Sequence, residues 1–216
     1  SQIKIKFKKL NARDATEIAK RWFLEAKRLP NDAFSAFVLN GRTLTILFTY
    51  FEKSSKQLVS NAVLALSANS GKVYPERTEK LSSAVIRYYG HSGSLHFKNV
   101  SAGFYKGFED IEAIATEVFS DVFKTEGMLF QINTLGGAIS DKSMNEKSAF
   151  AYRQLPFLGE LQCYWNDDSQ TQSKVSAVNS IQTKLHNAKI NKHYRNYPSI
   201  ELKNWGASYY GEKNYD

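Results

Sequence analysis

The chain has 216 residues, of which 42% are hydrophobic and 13% aromatic, enough apolar material for a buried core in one sizeable domain or two small ones. This composition excludes a chain that is disordered as a whole. The formal net charge is +8, but the lysines and arginines are scattered, so a solvated basic surface is favoured over a nucleic-acid or membrane surface.

The first element is a strand followed by a helix. Residues 3–7 alternate strictly between apolar residues and lysine, which predicts a half-buried strand. From Asn11, a typical N-cap residue, apolar side chains recur at helical spacing until Pro30 ends the run.

A hairpin and two further helices come next. Asn40-Gly41 separates two β-rich stretches and predicts paired antiparallel strands over 33–39 and 43–51. Ser54 and Gln57 have the spacing of a capping box and predict a helix over 55–67. A second short helix is expected over 76–89.

The C-terminal half contains the clearest helix, over 108–124, with acidic residues in its first turn and a stop at Gly127. The predicted elements that follow are the strand "MLFQIN", a glycine-rich turn, a polar loop at 140–147, the strand "LGELQCYW" and a helix near 171–186. Alternating helices and hairpin-linked strands predict the α+β class, with a largely antiparallel sheet and helices on one face.

The other face of this sheet is then free for a ligand. Every-other-residue spacing in the two late strands places four polar side chains there: Gln131, Asn133, Gln162 and Tyr164. The same spacing is also typical of ordinary solvent-facing residues on a one-sided sheet.

Common catalytic and metal motifs are absent from the sequence, including nucleophile-elbow, P-loop and zinc-protease patterns. The four histidines, His91, His96, His186 and His193, lack metal-ligand spacing, so no metal site is expected. The single cysteine, Cys163, excludes an intrachain disulfide and is expected to be a buried structural thiol. No apolar run reaches the roughly 18 residues of a membrane span, and a soluble protein is expected.

Three ordered stretches carry a resemblance to a known family. "GMLFQINTLGGAIS", "SAFAYRQLPFLGELQCYW" and "YRNYPS" with "WGASYYGEKNY" occur in that order. In order and spacing they resemble FAD-linked oxidases of the berberine-bridge-enzyme-like group, within the vanillyl-alcohol-oxidase superfamily. Residues 127–216 resemble the group closely, and the first 126 residues resemble it in architecture.

The resemblance implies a division of the chain and a flavin partner. Residues 1–190 would be the substrate-binding α+β domain and residues 191–216 the C-terminal segment, whose tyrosine-rich tail packs toward a flavin-binding domain. That FAD-binding domain is absent from this chain, so the chain alone is expected to be an inactive part of an FAD-dependent oxidoreductase. The parent reaction would oxidise an alcohol or sugar-like substrate, with oxygen as the acceptor.

The resemblance also implies site residues. Tyr194 and Tyr197 are the candidate bases, with Arg195 or Arg153 as the cation that stabilises a phenolate, because free tyrosine has a pKa near 10. Pro198 predicts an extended segment in which the two tyrosines point to opposite sides. The expected FAD contacts are Asn196, Tyr210, Gly211 and Asn214. The expected substrate contacts are Gln131, Asn133, Gln162, Tyr164 and Arg153.

Two other functions remain open from the residues. A carbohydrate-binding module would use Trp165, Tyr164 and Tyr50 as stacking platforms on the open sheet face. A basic RNA-binding domain is the third possibility. The position of the aromatic rings discriminates between the first two, since sugar binding needs rings on the open face and flavin contact needs them on the tail.

Overall fold

The computed structural model describes residues 1–68, 71–86 and 95–215, and these residues form one seven-stranded sheet with helices packed mainly on one side. The strands are β1 Gln2–Phe7, β2 Ala33–Asn40, β3 Thr43–Tyr50, β4 Lys72–Arg77, β5 His96–Tyr105, β6 Met128–Thr134 and β7 Phe157–Trp165. The helices are α1 Ala12–Ala26, α2 Lys56–Ser67, α3 Leu81–Ile86, α4 Glu112–Lys124, α5 Thr171–Asn187, α6 Trp205–Tyr210 and α7 Glu212–Tyr215.

The strand order is β4-β1-β3-β2-β6-β7-β5, and every pairing is antiparallel. Alternate residues of the strands form one large core with α1, α2, α4 and α5, centred on the fully buried Trp22 and Phe37. The Trp22 Nε1 donates to Ser35 Oγ at 2.9 Å, which satisfies the one polar atom of this ring. The predicted α+β class, with an antiparallel sheet and helices on one face, is confirmed.

Several predicted elements have the expected local causes. The Asn11 side chain accepts from the Asp14 backbone N–H at the start of α1. The predicted hairpin forms, but its two-residue loop is Gly41-Arg42, because Asn40 is still paired with Thr43, and Gly41 has φ +48°, a conformation that favours glycine. The helix α4 follows a short 3-10 turn over Phe108–Asp110.

Two sequence predictions were wrong, and one strand was missed. No capping box forms at α2, because the Ser54 hydroxyl contacts Glu52 and the N-cap residue is Ser55. The helix predicted over 76–89 begins only at Leu81, and residues 72–77 form the edge strand β4, which was missed because Pro75 and flanking charges mask the strand pattern. Residues 87–89 lie outside the described residues, as does His91.

The strand β5 was also missed, because a bulge between Ser101 and Gly103 breaks its alternation. The chain that leads into the C-terminal segment packs against this bulge. Gly103 has φ +105°, and a Cβ added there would lie 2.2 Å from Cγ2 of Ile190. Glycine at this position therefore lets Ile190 pack directly on the strand and directs the following residues along β5.

Residues 192–197 lie beside the free edge of β5, and the rings of Tyr194 and Tyr197 reach the sheet face opposite the main core. The Phe104 backbone N–H donates to the Lys192 carbonyl at 2.9 Å, and the Ser101 N–H donates to the Tyr197 carbonyl at 3.0 Å. A second apolar cluster covers this contact, formed by Phe104, Tyr152, Leu155 and Leu158 with Tyr194 and Tyr197 packed against it. The tail tyrosines thus line one end of the open sheet face.

Candidate functional site

A buried carboxylate, Glu160, lies on the open face in the middle of β7 and is only 5% exposed. Asn99 on β5 donates from Nδ2 to Glu160 Oε1 at 2.8 Å. The side chains of Gln162 and Tyr197 also hydrogen-bond to Glu160. Burial raises the pKa of Glu160, and these hydrogen bonds offset part of the rise. Glu160 is therefore a carboxyl group with a higher proton affinity than one in water.

Three predicted substrate-site residues surround Glu160. Gln131 lies directly across from Glu160 on β6, and its Nε2 donates to Asn133 Oδ1 at 3.0 Å. Gln162 lies opposite Asn99 on β5. The open face thus brings together the amides predicted from strand spacing, and it adds a carboxylate and a further amide.

Sequence reasoning missed both Glu160 and Asn99. Glu160 stands alone as an acid in the strand "FLGELQCYW", and its alternation with buried residues was the available signal. Asn99 belongs to the strand that was not predicted. The Asn99 Oδ1 atom is shielded from solvent and has no hydrogen-bond partner among the described residues. An acceptor beside Glu160 is therefore unsatisfied, at a cost of about 1–3 kcal/mol.

Tyr194 and Tyr197 form a turn, so the predicted extended segment was wrong. The Tyr197 N–H donates to the Tyr194 carbonyl at 3.0 Å, and the two rings meet edge to face with centroids 5.2 Å apart. A turn satisfies this backbone pair locally, and it places both rings on the same side. Burial, and next the charge and hydrogen bond of Glu160, raise the pKa of Tyr197. Tyr197 is therefore a neutral hydrogen-bond donor near neutral pH.

The two candidate cations lie away from the Glu160–Tyr197 contact. Arg153 donates to the Ile139 carbonyl and to Ser148 Oγ, both at 2.9 Å. Its guanidinium lies 5.3 Å from the Phe150 ring centroid, and that ring in turn is 6.2 Å from the Tyr194 ring. Arg195 is exposed on the outer side of the turn. Arg153 thus reaches the tyrosines only through an intervening ring.

The predicted cofactor residues divide into two groups. Asn196 and Tyr210 line an open depression of about 630 Å³ together with Arg195 and Trp205. The Asn196 Nδ2 also donates to the Tyr194 hydroxyl at 3.0 Å, which links this depression to the tyrosine turn. A guanidinium, an amide and two aromatic rings suit the oxygen atoms and flat ring of a flavin.

Gly211 and Asn214 lie just beyond that depression. Gly211 makes the turn between α6 and α7 with φ +77°, and a Cβ added to it would approach the Ala151 Cβ to 3.3 Å. The Asn214 backbone N–H donates to the Gly211 carbonyl at 3.3 Å. The position of Gly211 is thus explained by chain geometry alone.

The outer end of the open face carries aromatic rings. Tyr164 on β7 and Phe97 on β5 are register partners, 36% and 62% exposed. Trp165 and Tyr50 are buried, and the Trp165 Nε1 donates to Thr171 Oγ1 at 2.8 Å on the helix-covered side. The three-ring sugar platform considered from the sequence is therefore wrong, since two of its rings are not on the open face.

Comparisons with known proteins agree with this architecture. No family model matches the sequence. The uncharacterized FAD-linked oxidoreductase YgaK of Bacillus subtilis (strain 168) is 31% identical over 78 residues, which are 36% of this chain and 17% of that protein. Among solved structures, Physcomitrella patens BBE-like 1 superposes with a TM-score of 0.82 at 15% identity, covering 98% of this chain and 48% of its own.

Two other solved structures show the same relationship. The flavoenzyme CrmK of caerulomycin biosynthesis has a TM-score of 0.83 at 12% identity over 98% of this chain and 50% of its own. BBE-like #28 from Arabidopsis thaliana has a TM-score of 0.70 at 16% identity over 99% of this chain and 52% of its own.

The chain therefore has the fold of about half of a berberine-bridge-enzyme-like, FAD-linked flavoenzyme, which confirms the predicted resemblance at the level of fold. It spans about half the length of the solved structures it matches.

Membrane-spanning helices and metal-ligand groups are both absent from the described residues. No helix among them is long and apolar enough to cross a bilayer. Within the same ranges, no three histidine, cysteine, aspartate or glutamate side chains are grouped as metal ligands would be. Cys163 is fully buried, and burial raises the pKa of its thiol, as expected for a structural residue.

Proposed function

We propose that this chain is the substrate-binding part of an FAD-dependent oxidoreductase in which Glu160 accepts a proton from the substrate hydroxyl. The observation that carries the proposal is a buried carboxylate with a raised pKa, surrounded by amide and phenol groups on the open face of this fold. A base acts best when its pKa lies near the working pH. Burial raises the pKa of Glu160 above that of an ordinary carboxyl group, and so moves it toward neutral pH.

The residues around Glu160 have separate tasks in this proposal. Asn99 holds one carboxylate oxygen through its Nδ2, and its unpartnered Oδ1 can accept a hydrogen bond from a second substrate hydroxyl. Gln131, Asn133 and Gln162 bind the polar groups that flank the reacting carbon. The substrate O–H proton moves to the Glu160 carboxylate as the C–H bond breaks and a carbonyl forms.

Tyr194 and Tyr197 take part in the proton transfer as neutral phenols. Tyr197 donates to Glu160 and so keeps the carboxylate oriented, while Tyr194 packs against it and accepts from Asn196. Because the pKa of Tyr197 is raised, Tyr197 stays protonated and serves as a hydrogen-bond donor. Glu160 is therefore the proposed base.

A flavin-binding domain, with residues 191–216 as its point of contact, completes the proposed enzyme. Asn196 and Tyr210, with Arg195 beside them, would hold part of FAD, while Gly211 and Asn214 would shape the adjoining turn. FAD, when bound, supplies the acceptor for the hydride that leaves the substrate carbon, and oxygen is the proposed final acceptor. Residues 1–190 form the proposed substrate-binding domain, and Arg153 supports it through Phe150.

The test is the rate of flavin reduction by stopped flow in the full-length, flavin-containing protein, with a substrate found by screening alcohols and sugars. Glu160→Gln should lower this rate about 10²–10⁴-fold, because a general base contributes that much. The parental rate should rise with pH through the raised pKa of Glu160, since the carboxylate is the active form, and Glu160→Gln should remove this rise.

Matched variants distinguish the proposed base, Glu160, from the tyrosines that surround it. Tyr197→Phe and Tyr194→Phe should slow flavin reduction less than Glu160→Gln and should retain the pH-dependent rise. Gln57→Glu, on the exposed surface of α2, is the control and should leave the rate unchanged. A Glu160→Gln enzyme that reduces its flavin at the parental rate would refute the proposal.

A further inference from the structure

The stacked pair Phe97 and Tyr164 lies at the outer end of the open face, beyond the amides around Glu160, and Tyr164 is one of the predicted substrate contacts. The ring centroids are 6.0 Å apart with an interplanar angle of 26°, and both rings are solvent-exposed. On the opposite face, the neighbouring pair His96 and Trp165 is also stacked at 6.0 Å, but there Trp165 is buried. Packing of Trp165 in the core therefore explains the His96–Trp165 pair. Within the described part of the chain, nothing covers the Phe97–Tyr164 pair.

The polarity of the open face changes along β7. Around Glu160 the side chains are amides, a phenol and the carboxylate itself. At Tyr164 the hydroxyl donates to Gln162 Oε1 at 2.8 Å, and Phe97 has no polar side-chain atom. The outer end thus presents ring faces and few free hydrogen-bonding groups, which suits an aromatic ring better than a ring covered with hydroxyls.

The spacing along β7 gives the distance between the two ends. Glu160 and Tyr164 point to the same face and are four residues apart, which corresponds to about 13 Å at the rise of a β-strand. Gln162 lies between them on that face. A ligand that reaches both ends needs at least two ring-sized units.

We propose that Phe97 and Tyr164 form a subsite for an aromatic ring at the far end of the substrate, about 13 Å from the carbon that reacts at Glu160. The proposal rests on the proposed function for the position of the reacting end. The substrate class is then an aryl-bearing alcohol or aryl glycoside, with its oxidisable hydroxyl on the amide-rich end and its aryl group on the ring pair.

Binding to the 216-residue chain tests the subsite without any redox reaction. The probe is 4-fluorophenyl β-D-glucopyranoside, titrated by fluorine NMR, and the competitors are methyl and cyclohexyl β-D-glucopyranosides. The aryl glucoside should bind more tightly than the cyclohexyl glucoside, and the methyl glucoside should bind most weakly. Phe97→Ala and Tyr164→Ala should each weaken aryl glucoside binding about 2- to 12-fold, the range for one aromatic contact.

Matched variants keep the result interpretable. Tyr164→Phe should retain binding, because it keeps the ring, and Phe97→Leu should weaken binding within the same 2- to 12-fold range although it keeps an apolar side chain. His96→Ala, next to Phe97 but on the other face, should bind like the parental chain. Equal binding of methyl and aryl glucosides, or unchanged binding in Phe97→Ala and Tyr164→Ala, would overturn the subsite.

The two proposals fail in different ways. If Glu160 is not the base, Glu160→Gln leaves flavin reduction unchanged while the ring pair still binds the aryl glucoside. If the subsite is wrong, Phe97→Ala and Tyr164→Ala leave the affinity for the aryl glucoside unchanged, while Glu160→Gln still slows flavin reduction.

Discussion

Acidification is predicted to loosen the C-terminal segment through His193. This histidine is 6% exposed, its backbone N–H donates to the Ser208 carbonyl at 2.9 Å, and its ring hydrogen-bonds to the backbone of Ser101 and Ile190. Burial, with a smaller repulsion from His186, lowers the pKa of His193 to about 4 despite those hydrogen bonds. Its ring is therefore neutral in the folded protein at pH 7.

The magnitude follows from the difference between folded and unfolded pKa values. The ordinary value is 6.5 and the folded value about 4, a difference of about 2.5 units, which corresponds to about 3 kcal/mol at 1.36 kcal/mol per unit. Between these values the unfolded chain binds more protons than the folded one. The contribution is therefore fully present above pH 6.5 and is lost as the pH falls through the folded pKa.

Urea unfolding at pH 7.5 and pH 4.5 measures this effect. The fall in the free energy of unfolding should be about 2–3 kcal/mol smaller in His193→Gln than in the parental chain, because glutamine does not titrate. His186→Gln is the control, since His186 is exposed on α5, and it should show nearly the parental fall. An equal fall in His193→Gln and the parental chain would refute the reasoning.

Two further predictions concern contacts of the C-terminal segment, and a third concerns the cofactor. Gly103→Ala should lower the free energy of unfolding by about 2–4 kcal/mol, because its Cβ would clash with Ile190 at a positive φ, whereas Gly136→Ala, with open space around it, should be nearly neutral in the same urea assay. Tyr152→Phe should cost about 1–3 kcal/mol by thermal unfolding, because its one hydroxyl proton is shared between two α6 carbonyls, with Tyr215→Phe, at a residue 51% exposed, as the control. The purified 216-residue chain should show no visible flavin absorbance and no oxidase activity, and a tightly bound yellow cofactor would contradict this.

The sequence alone was enough to predict the elements that depend on residues close together in the chain. The Asn11 cap, the hairpin turn at Gly41 and the apolar stripe of α4 each depend on residues that are close in sequence, so each could be predicted from a short window. The ordered motifs of the C-terminal half were enough to predict the flavoenzyme fold. Alternation in β6 and β7 was enough to place four polar residues on the open face.

The tertiary structure decided the chemistry of those residues, because burial and long-range contacts set it. Glu160 becomes a candidate base because the packed sheet and C-terminal segment bury it, while Asn99 from β5 and Tyr197 from the tail bind its carboxylate. None of these contacts is local in sequence. The same tail turn raises the pKa of Tyr197, which no sequence window reveals. A proton affinity is set by the dielectric and charges around a group in space, and these exist only once the sheet and the C-terminal segment have packed together.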